Sequence, residues 1–177
     1  MTAFKLAAGA PFPVSKIARL GGGDLTLGKP SEGFDWQMIV VYRGKHCPYC
    51  SRYLQELEPL VPRLNGIGID VAAVSADSLD RAEPHIAKLG INLTIGYDLS
   101  IAQMKSLGLY ISEPRSDAES SRPFAEPGLF IINGDGTLQV TDISNGPFVR
   151  PHLETLVGGL EFIRNPDNNY PIRGMLE

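Results

Sequence analysis

The stretch Trp36-Gln-Met-Ile-Val-Val-Tyr-Arg-Gly-Lys-His-Cys-Pro-Tyr-Cys-Ser-Arg-Tyr-Leu54 holds the chain's two cysteines, Cys47 and Cys50. Apart from Gln37, its first seven residues are β-branched, aromatic or otherwise apolar, and they predict a buried strand from Trp36 to Tyr42. Pro48 then stands where a first helical turn tolerates a missing N–H, which makes Cys47 the N-cap. From there Cys50, Tyr53, Leu54, Leu57, Leu60, Val61 and Leu64 share one face at helical spacing, with Ser51, Arg52, Gln55, Glu56 and Glu58 on the other. Pro59 and Pro62 predict a kink or an early end, because each removes an intrahelical hydrogen bond. A C-x-x-C pair at a strand-to-helix junction implies thiol–disulfide chemistry or half of a metal site. Zinc requires about four ligands. His46, His85 and His152 are the only histidines and show no metal-type spacing, so redox chemistry is the preferred reading and no metal is expected. An inert buried pair is the remaining alternative.

Working outward, residues 12 to 28 predict an N-terminal hairpin turning at Gly21–Gly23. That glycine run is not a phosphate cradle, since no helix pattern and no Lys-Ser or Lys-Thr pair follows it. Ile67 to Ser75 predicts the next strand, and Asp77 or Ser78 then caps a helix ending near Gly90. Together they form a β-α-β unit with parallel strands. Leu93 to Tyr97 predicts another strand, followed by a short helix capped at Asp98 or Ser100 and ended by Gly108. Residues 111 to 126 read as a polar loop, either one wall of a cleft or an ordinary surface insertion. Gly128-Leu-Phe-Ile-Ile and Thr137-Leu-Gln-Val-Thr-Asp-Ile flank Asn133-Gly-Asp-Gly, a hairpin signal. Pro151 is expected to open a last helix with Leu153, Leu156, Val157, Leu160 and Ile163 inside. The tail from 165 to 177 has no periodicity. Trp36 and Phe130 are expected in the core, and His85 and His152 on helix surfaces.

The 177 residues suit a single domain spanning 1–177. With 43% hydrophobic residues, 20% charged residues and a net charge of −4, the composition is that of a globular protein with no electrostatic case for nucleic acid. No apolar run is long enough for a membrane span or a secretion signal, and no cysteine lies outside the motif. The expected compartment is therefore the reducing cytoplasm.

The order of elements resembles the thioredoxin-like superfamily, and in detail its redoxin branch of alkyl hydroperoxide reductase-like, thiol-specific-antioxidant-like and peroxiredoxin-like proteins. Tyr42-Arg-Gly-Lys-His-Cys-Pro-Tyr-Cys50 is similar to the Tyr-Arg-Gly-x-Trp-Cys-Pro-Tyr-Cys stretch of that branch. Glu126-Pro-Gly-Leu-Phe-Ile-Ile-Asn-Gly-Asp-Gly136 is similar to its closing strand and hairpin. The resemblance implies an α/β, three-layer thioredoxin-like fold with a mixed central sheet and the N-terminal hairpin as an extension. It implies Cys47 as the exposed, attacking cysteine and Cys50 as the buried, resolving one. Pro127 matches the cis-proline facing the motif, and Glu126 the residue before it. Tyr49, between the cysteines, reads as a substrate-facing aromatic, with a plain exposed residue at the loop-helix junction as the alternative. Arg43, Lys45 and His46 are expected to add positive charge that, with the helix N-terminus, lowers the Cys47 pKa below about 8.5. A peroxidase of this branch has Thr or Ser three residues before its peroxide-reactive cysteine, a proline upstream and an arginine opposite. With Cys50 aligned to that cysteine, Cys47 takes the Thr or Ser position, residues 39–42 supply no proline, and Pro127 stands in place of the arginine. The expected function is a thiol–disulfide oxidoreductase without organic cofactor. Its partners would be a disulfide-bearing protein or small thiol and a reductant, with a homodimer as an option. A thiol peroxidase and a non-enzymatic redox-responsive module are the alternatives.

Overall fold

A computed structural model describes residues 4–176. Seven of its nine strands form one mixed sheet in the order β2-β1-β5-β4-β3-β8-β9. The central strand β3 (Trp36–Val41) runs parallel to β4 (Ile69–Val74) and antiparallel to β8 (Gly128–Ile132). β5 (Thr94–Tyr97) extends the parallel part, and β9 (Leu138–Ile143) closes the hairpin with β8. The expected N-terminal hairpin is β1 (Ser15–Arg19) and β2 (Asp24–Leu27). It is less an extension than an edge of the main sheet, because β1 pairs with β5.

Alternation along β3 divides two cores. Met38 and Val40 face one cluster with Leu54, Leu57, Leu64, Ile86, Leu153, Val157 and Leu160. Ile39 and Val41 face the other, with Leu6, Phe12, Met104, Leu107 and Phe124. One layer thus holds the helices α1 (Pro48–Leu57), α2 (Val61–Gly66), α3 (Leu79–Leu89) and α5 (Leu153–Arg164). The opposite layer holds α4 (Ile101–Ser106) and the N-terminal segment. Both sides of β3 and β4 are covered, which is why these strands are apolar on both faces apart from Gln37 and Asp70, whose buried side chains are hydrogen-bonded.

Local chemistry accounts for the boundaries. The prolines at 59 and 62 break the first helix into α1, a 3-10 turn at Glu58–Leu60 and α2. Ser78 is the N-cap of α3 and Gly90 its left-handed C-cap, while Ser100 and Gln103 form a capping box on α4. Pro151 lies before the last helix rather than in it; His152 is the exposed N-cap, its ring accepting from Thr155 N. Phe130 is in the core, but Trp36, at the start of its strand, is half-buried under the Arg164 guanidinium, 4.6 Å from its ring centroid. The polar 111–126 segment contains a short antiparallel pair, β6 (Ile111–Ser112) and β7 (Phe124–Ala125). Two residues per strand are too few for a visible sequence period. In the tail, Pro166–Asn168 forms a 3-10 turn. Among the described residues no helix is long and apolar enough to cross a membrane.

Candidate active site

Strand β3 delivers the chain to the turn 42–47, and α1 begins at Pro48 directly after it. Gly44 makes the turn possible: its φ is +131°, and a Cβ there would come within 2.8 Å of the Asp77 carboxylate. That carboxylate accepts from Lys45 N at 2.6 Å and from Arg81 Nε at 3.0 Å, so it fastens the turn to the start of α3. Cys47 is the N-cap of α1, and its sulfur accepts from Cys50 N at 3.2 Å. One helical turn separates the two cysteines, whose Cα atoms are 5.2 Å apart, and their sulfurs are joined as a disulfide.

Both cysteines are fully buried at 0% exposure. This corrects the expectation of an exposed Cys47: the turn 42–47 folds over the helix start, and the sulfur lies in the same apolar cluster as Tyr42, Tyr53 and Leu54. Tyr49, by contrast, is 50% exposed and meets Phe148 edge-on, with ring centroids 6.1 Å apart.

The expected cations are arranged differently from the sequence reading. Arg43 is taken up by carboxylates, its Nε 3.1 Å from Glu126 Oε2 and its Nη2 3.7 Å from Glu119 Oε1. The Nε–H is not aimed at Glu126, so the contact is an ion pair rather than a hydrogen bond. His46 packs on Phe124, and neither ring nitrogen has a partner among the described residues. Burial, aided by Arg43, pushes the His46 pKa below its ordinary value, so at neutral pH the ring adds no positive charge. Lys45 remains as an exposed cation.

Arg150 is the residue sequence reasoning missed. It follows β9 in the loop before α5, one hundred residues beyond Cys50, and its Nη2 donates to Cys50 Sγ at 3.3 Å. Its guanidinium also covers the Tyr53 ring, 4.9 Å from the centroid, while Tyr53 Oη donates to Pro151 O at 2.9 Å. Among the described residues no carboxylate lies within ion-pair distance of Arg150. Burial lowers its pKa from a value so high that it stays cationic. The resemblance gave Cys50 no arginine partner, with Pro127 in its place; in the structure a guanidinium reaches Cys50 from another part of the chain.

The Glu126–Pro127 peptide bond is trans, not the cis bond the resemblance implied. Backbone pairing holds this segment, with Glu126 N donating to Tyr110 O at 2.8 Å and Ser144 N donating to Pro127 O at 3.1 Å. Glu126 is 5% exposed and accepts from Ser112 Oγ at 2.6 Å, so its carboxylate is occupied by Arg43 and Ser112. Glu119 adds a second link from the polar segment to Arg43, which makes that segment a packed wall beside the turn. His85 is not the expected surface residue: it is 4% exposed, and its Nε2 lies 2.9 Å from Ser51 Oγ.

Residues 8–141 match the model of the AhpC/TSA family. No curated protein matches the sequence. Among solved structures, a peroxiredoxin-like protein from Aquifex aeolicus superposes with a TM-score of 0.73 at 17% identity, over 89% of this chain and 88% of that one. The C47S mutant of Xylella fastidiosa PrxQ gives 0.71 at 20% identity, over 89% and 97%. Mycobacterium bovis AhpC gives 0.74 at 13% identity, over 98% and 99%. These likenesses establish the fold, and the family match spans most of the sequence. The chain, with its thioredoxin-like fold and its paired cysteines at a helix N-terminus, belongs to the AhpC/TSA family of thiol-based redox proteins.

Proposed function

We propose that the protein is a thiol–disulfide oxidoreductase that cycles between the Cys47–Cys50 disulfide and the dithiol. The observation that carries this reading is the disulfide itself, set across the first turn of α1 with Arg150 on the Cys50 sulfur. In the reduced protein, the Cys47 thiolate attacks a substrate disulfide, forms a mixed disulfide and releases one substrate thiolate. Cys50 then attacks Cys47 Sγ, the second substrate thiolate leaves, and the protein disulfide re-forms. The helix N-terminus favours the anion at Cys47. In the return half-cycle an external thiol attacks Cys47, and Arg150 stands ready to stabilise Cys50 as the leaving thiolate. Because both sulfurs are buried, attack requires local opening of the turn or of the 144–150 loop. No metal or organic cofactor enters the scheme. The electrons come from a thiol reductant, and the reducing cytoplasm suits it.

Arg150 also supports a second reading, thiol peroxidase. Here Cys50 would be the peroxide-reactive thiolate held by the guanidinium, and Cys47 would resolve its sulfenic acid to the same disulfide with loss of water. Stopped-flow oxidation of the reduced protein by hydrogen peroxide and by a small disulfide separates the two. Disulfide exchange predicts that Cys47→Ser abolishes rapid reaction with the disulfide while Cys50→Ser retains the first step. A peroxidase gives rapid peroxide oxidation that survives Cys47→Ser and is lost in Cys50→Ser. Slow reaction with both oxidants leaves only a redox-responsive binding module.

A further inference from the structure

Between α1 and α3 lies an open cavity of about 710 Å³ lined by Lys45, Arg52, Lys88 and His85 with Pro48 and Ser51 among its other walls. Arg52 projects from α1, Lys88 from α3, and Lys45 from the turn before Cys47, so three separate segments bring their cations to one hollow. All three are exposed, and among the described residues none has a carboxylate within 4 Å. No Asp or Glu lines the hollow. The nearest buried carboxylate, Asp77, is already engaged by Arg81 and by the Lys45 backbone. Two of the three cations, Lys45 and Lys88, also act on His85 in the cavity wall, where with Arg81 they oppose Asp77 and add to the lowering of its pKa by burial. For a chain with net charge −4 this is a local excess of positive charge, on walls that include His46 and Pro48, the residues on either side of Cys47.

We propose that this cavity binds the anionic body of a low-molecular-weight thiol, one bearing carboxylates or phosphate, and delivers its sulfur to Cys47. The proposal rests on the thiol–disulfide reading and adds the class of reductant. The volume is that of a small-molecule site, and its cations complement anionic groups while Pro48, Pro84 and Leu89 supply apolar contact. The bound thiolate attacks Cys47 Sγ as the turn opens. The Cys47–Cys50 bond breaks with its electron pair on Cys50 beside Arg150, and a Cys47–thiol mixed disulfide forms. A second thiolate attacks the small-molecule sulfur of that mixed disulfide, freeing Cys47 and releasing the small-molecule disulfide. The protein gains two electrons and two thiols lose them.

The test is the rate of reduction of the oxidised protein by four thiols at equal thiolate concentration: glutathione, coenzyme A, neutral 2-mercaptoethanol and cationic cysteamine. The proposal predicts saturable reduction by glutathione or coenzyme A, about tenfold faster at low concentration than by 2-mercaptoethanol, and slower reaction with cysteamine. Saturation by glutathione alone assigns the carboxylate source, and saturation by coenzyme A alone the phosphate source. In the Arg52→Gln/Lys88→Gln variant the advantage of the anionic thiols disappears: saturation is lost, and the glutathione and coenzyme A rates fall to that of 2-mercaptoethanol measured on the same variant. Equal, non-saturating rates for all thiols in both proteins overturn the cavity while leaving disulfide exchange intact. If no thiol reduces the protein, the functional reading falls, and the cavity is tested separately by heteronuclear NMR titration of the oxidised protein with S-methylglutathione and with coenzyme A. Shifts clustered at Arg52, His85 and Lys88 sustain it; no shifts there refute it.

Discussion

Replacing Arg150 with Met keeps much of the side chain's packing on Tyr53 and removes the charge that reaches Cys50 Sγ at 3.3 Å. In the disulfide the sulfur is a weak, neutral acceptor, whereas in the reduced protein it can hold a full negative charge. The guanidinium therefore stabilises the reduced state more than the oxidised one. A hydrogen bond to a charged group contributes about 1.5–3 kcal/mol, and the partial exposure of Arg150 argues for the lower end. About 1.5 kcal/mol corresponds to roughly a tenfold change in equilibrium constant, or about 30 mV for this two-electron couple. Arg150→Met should accordingly shift the disulfide–dithiol equilibrium about tenfold toward the disulfide, giving a potential about 30 mV more negative. Equilibration with dithiothreitol redox buffers, read by alkylation of free thiols, measures it. An unchanged or less negative potential in a variant that remains folded would refute the role assigned to Arg150.

Gly44→Ala places a Cβ at a left-handed φ and against the Asp77 carboxylate, which should cost about 1–3 kcal/mol and lower the melting temperature by about 2–4 °C per kcal/mol. Glu126→Ala leaves Arg43 with only the longer Glu119 contact and should lower stability in urea by about 2–3 kcal/mol. His85 is kept below its ordinary pKa, first of all by burial, so the unfolded chain binds a proton that the folded chain does not. Stability should fall as the pH drops below about 6.5, and His85→Gln should flatten that part of the melting temperature–pH curve.

The strand-to-helix junction was legible because its determinants are local. β-branched residues on a strand covered on both faces, a proline at the first helical position and prolines at 59 and 62 act within a few residues of themselves. Gly90, Gly108 and the Asn133 turn mark their boundaries for the same reason. The electrostatics of the site were not legible, because they depend on contacts between distant segments. Arg43 reads as a free cation until the 112–126 segment brings Glu119 and Glu126 to it. His46 reads as a cation until Phe124 buries it. Arg150 lies in an aperiodic loop, and only the packing of that loop on Tyr53 brings it to Cys50. His85 looks like a surface residue on α3 because the apolar stripe runs through Ala82 and Ile86. It is α1, through Ser51, that closes over it.

The central claim, that Cys47 attacks and Cys50 resolves, is tested most directly by trapping. Reduced Cys50→Ser protein is exposed to a disulfide substrate, and the adducts are located by mass spectrometry of proteolytic peptides. The account predicts a stable mixed disulfide on Cys47 in Cys50→Ser, with far less adduct on Cys50 in the Cys47→Ser protein. A Cys47→Ser protein that traps substrate on Cys50, beside a Cys50→Ser protein that traps none, would contradict it.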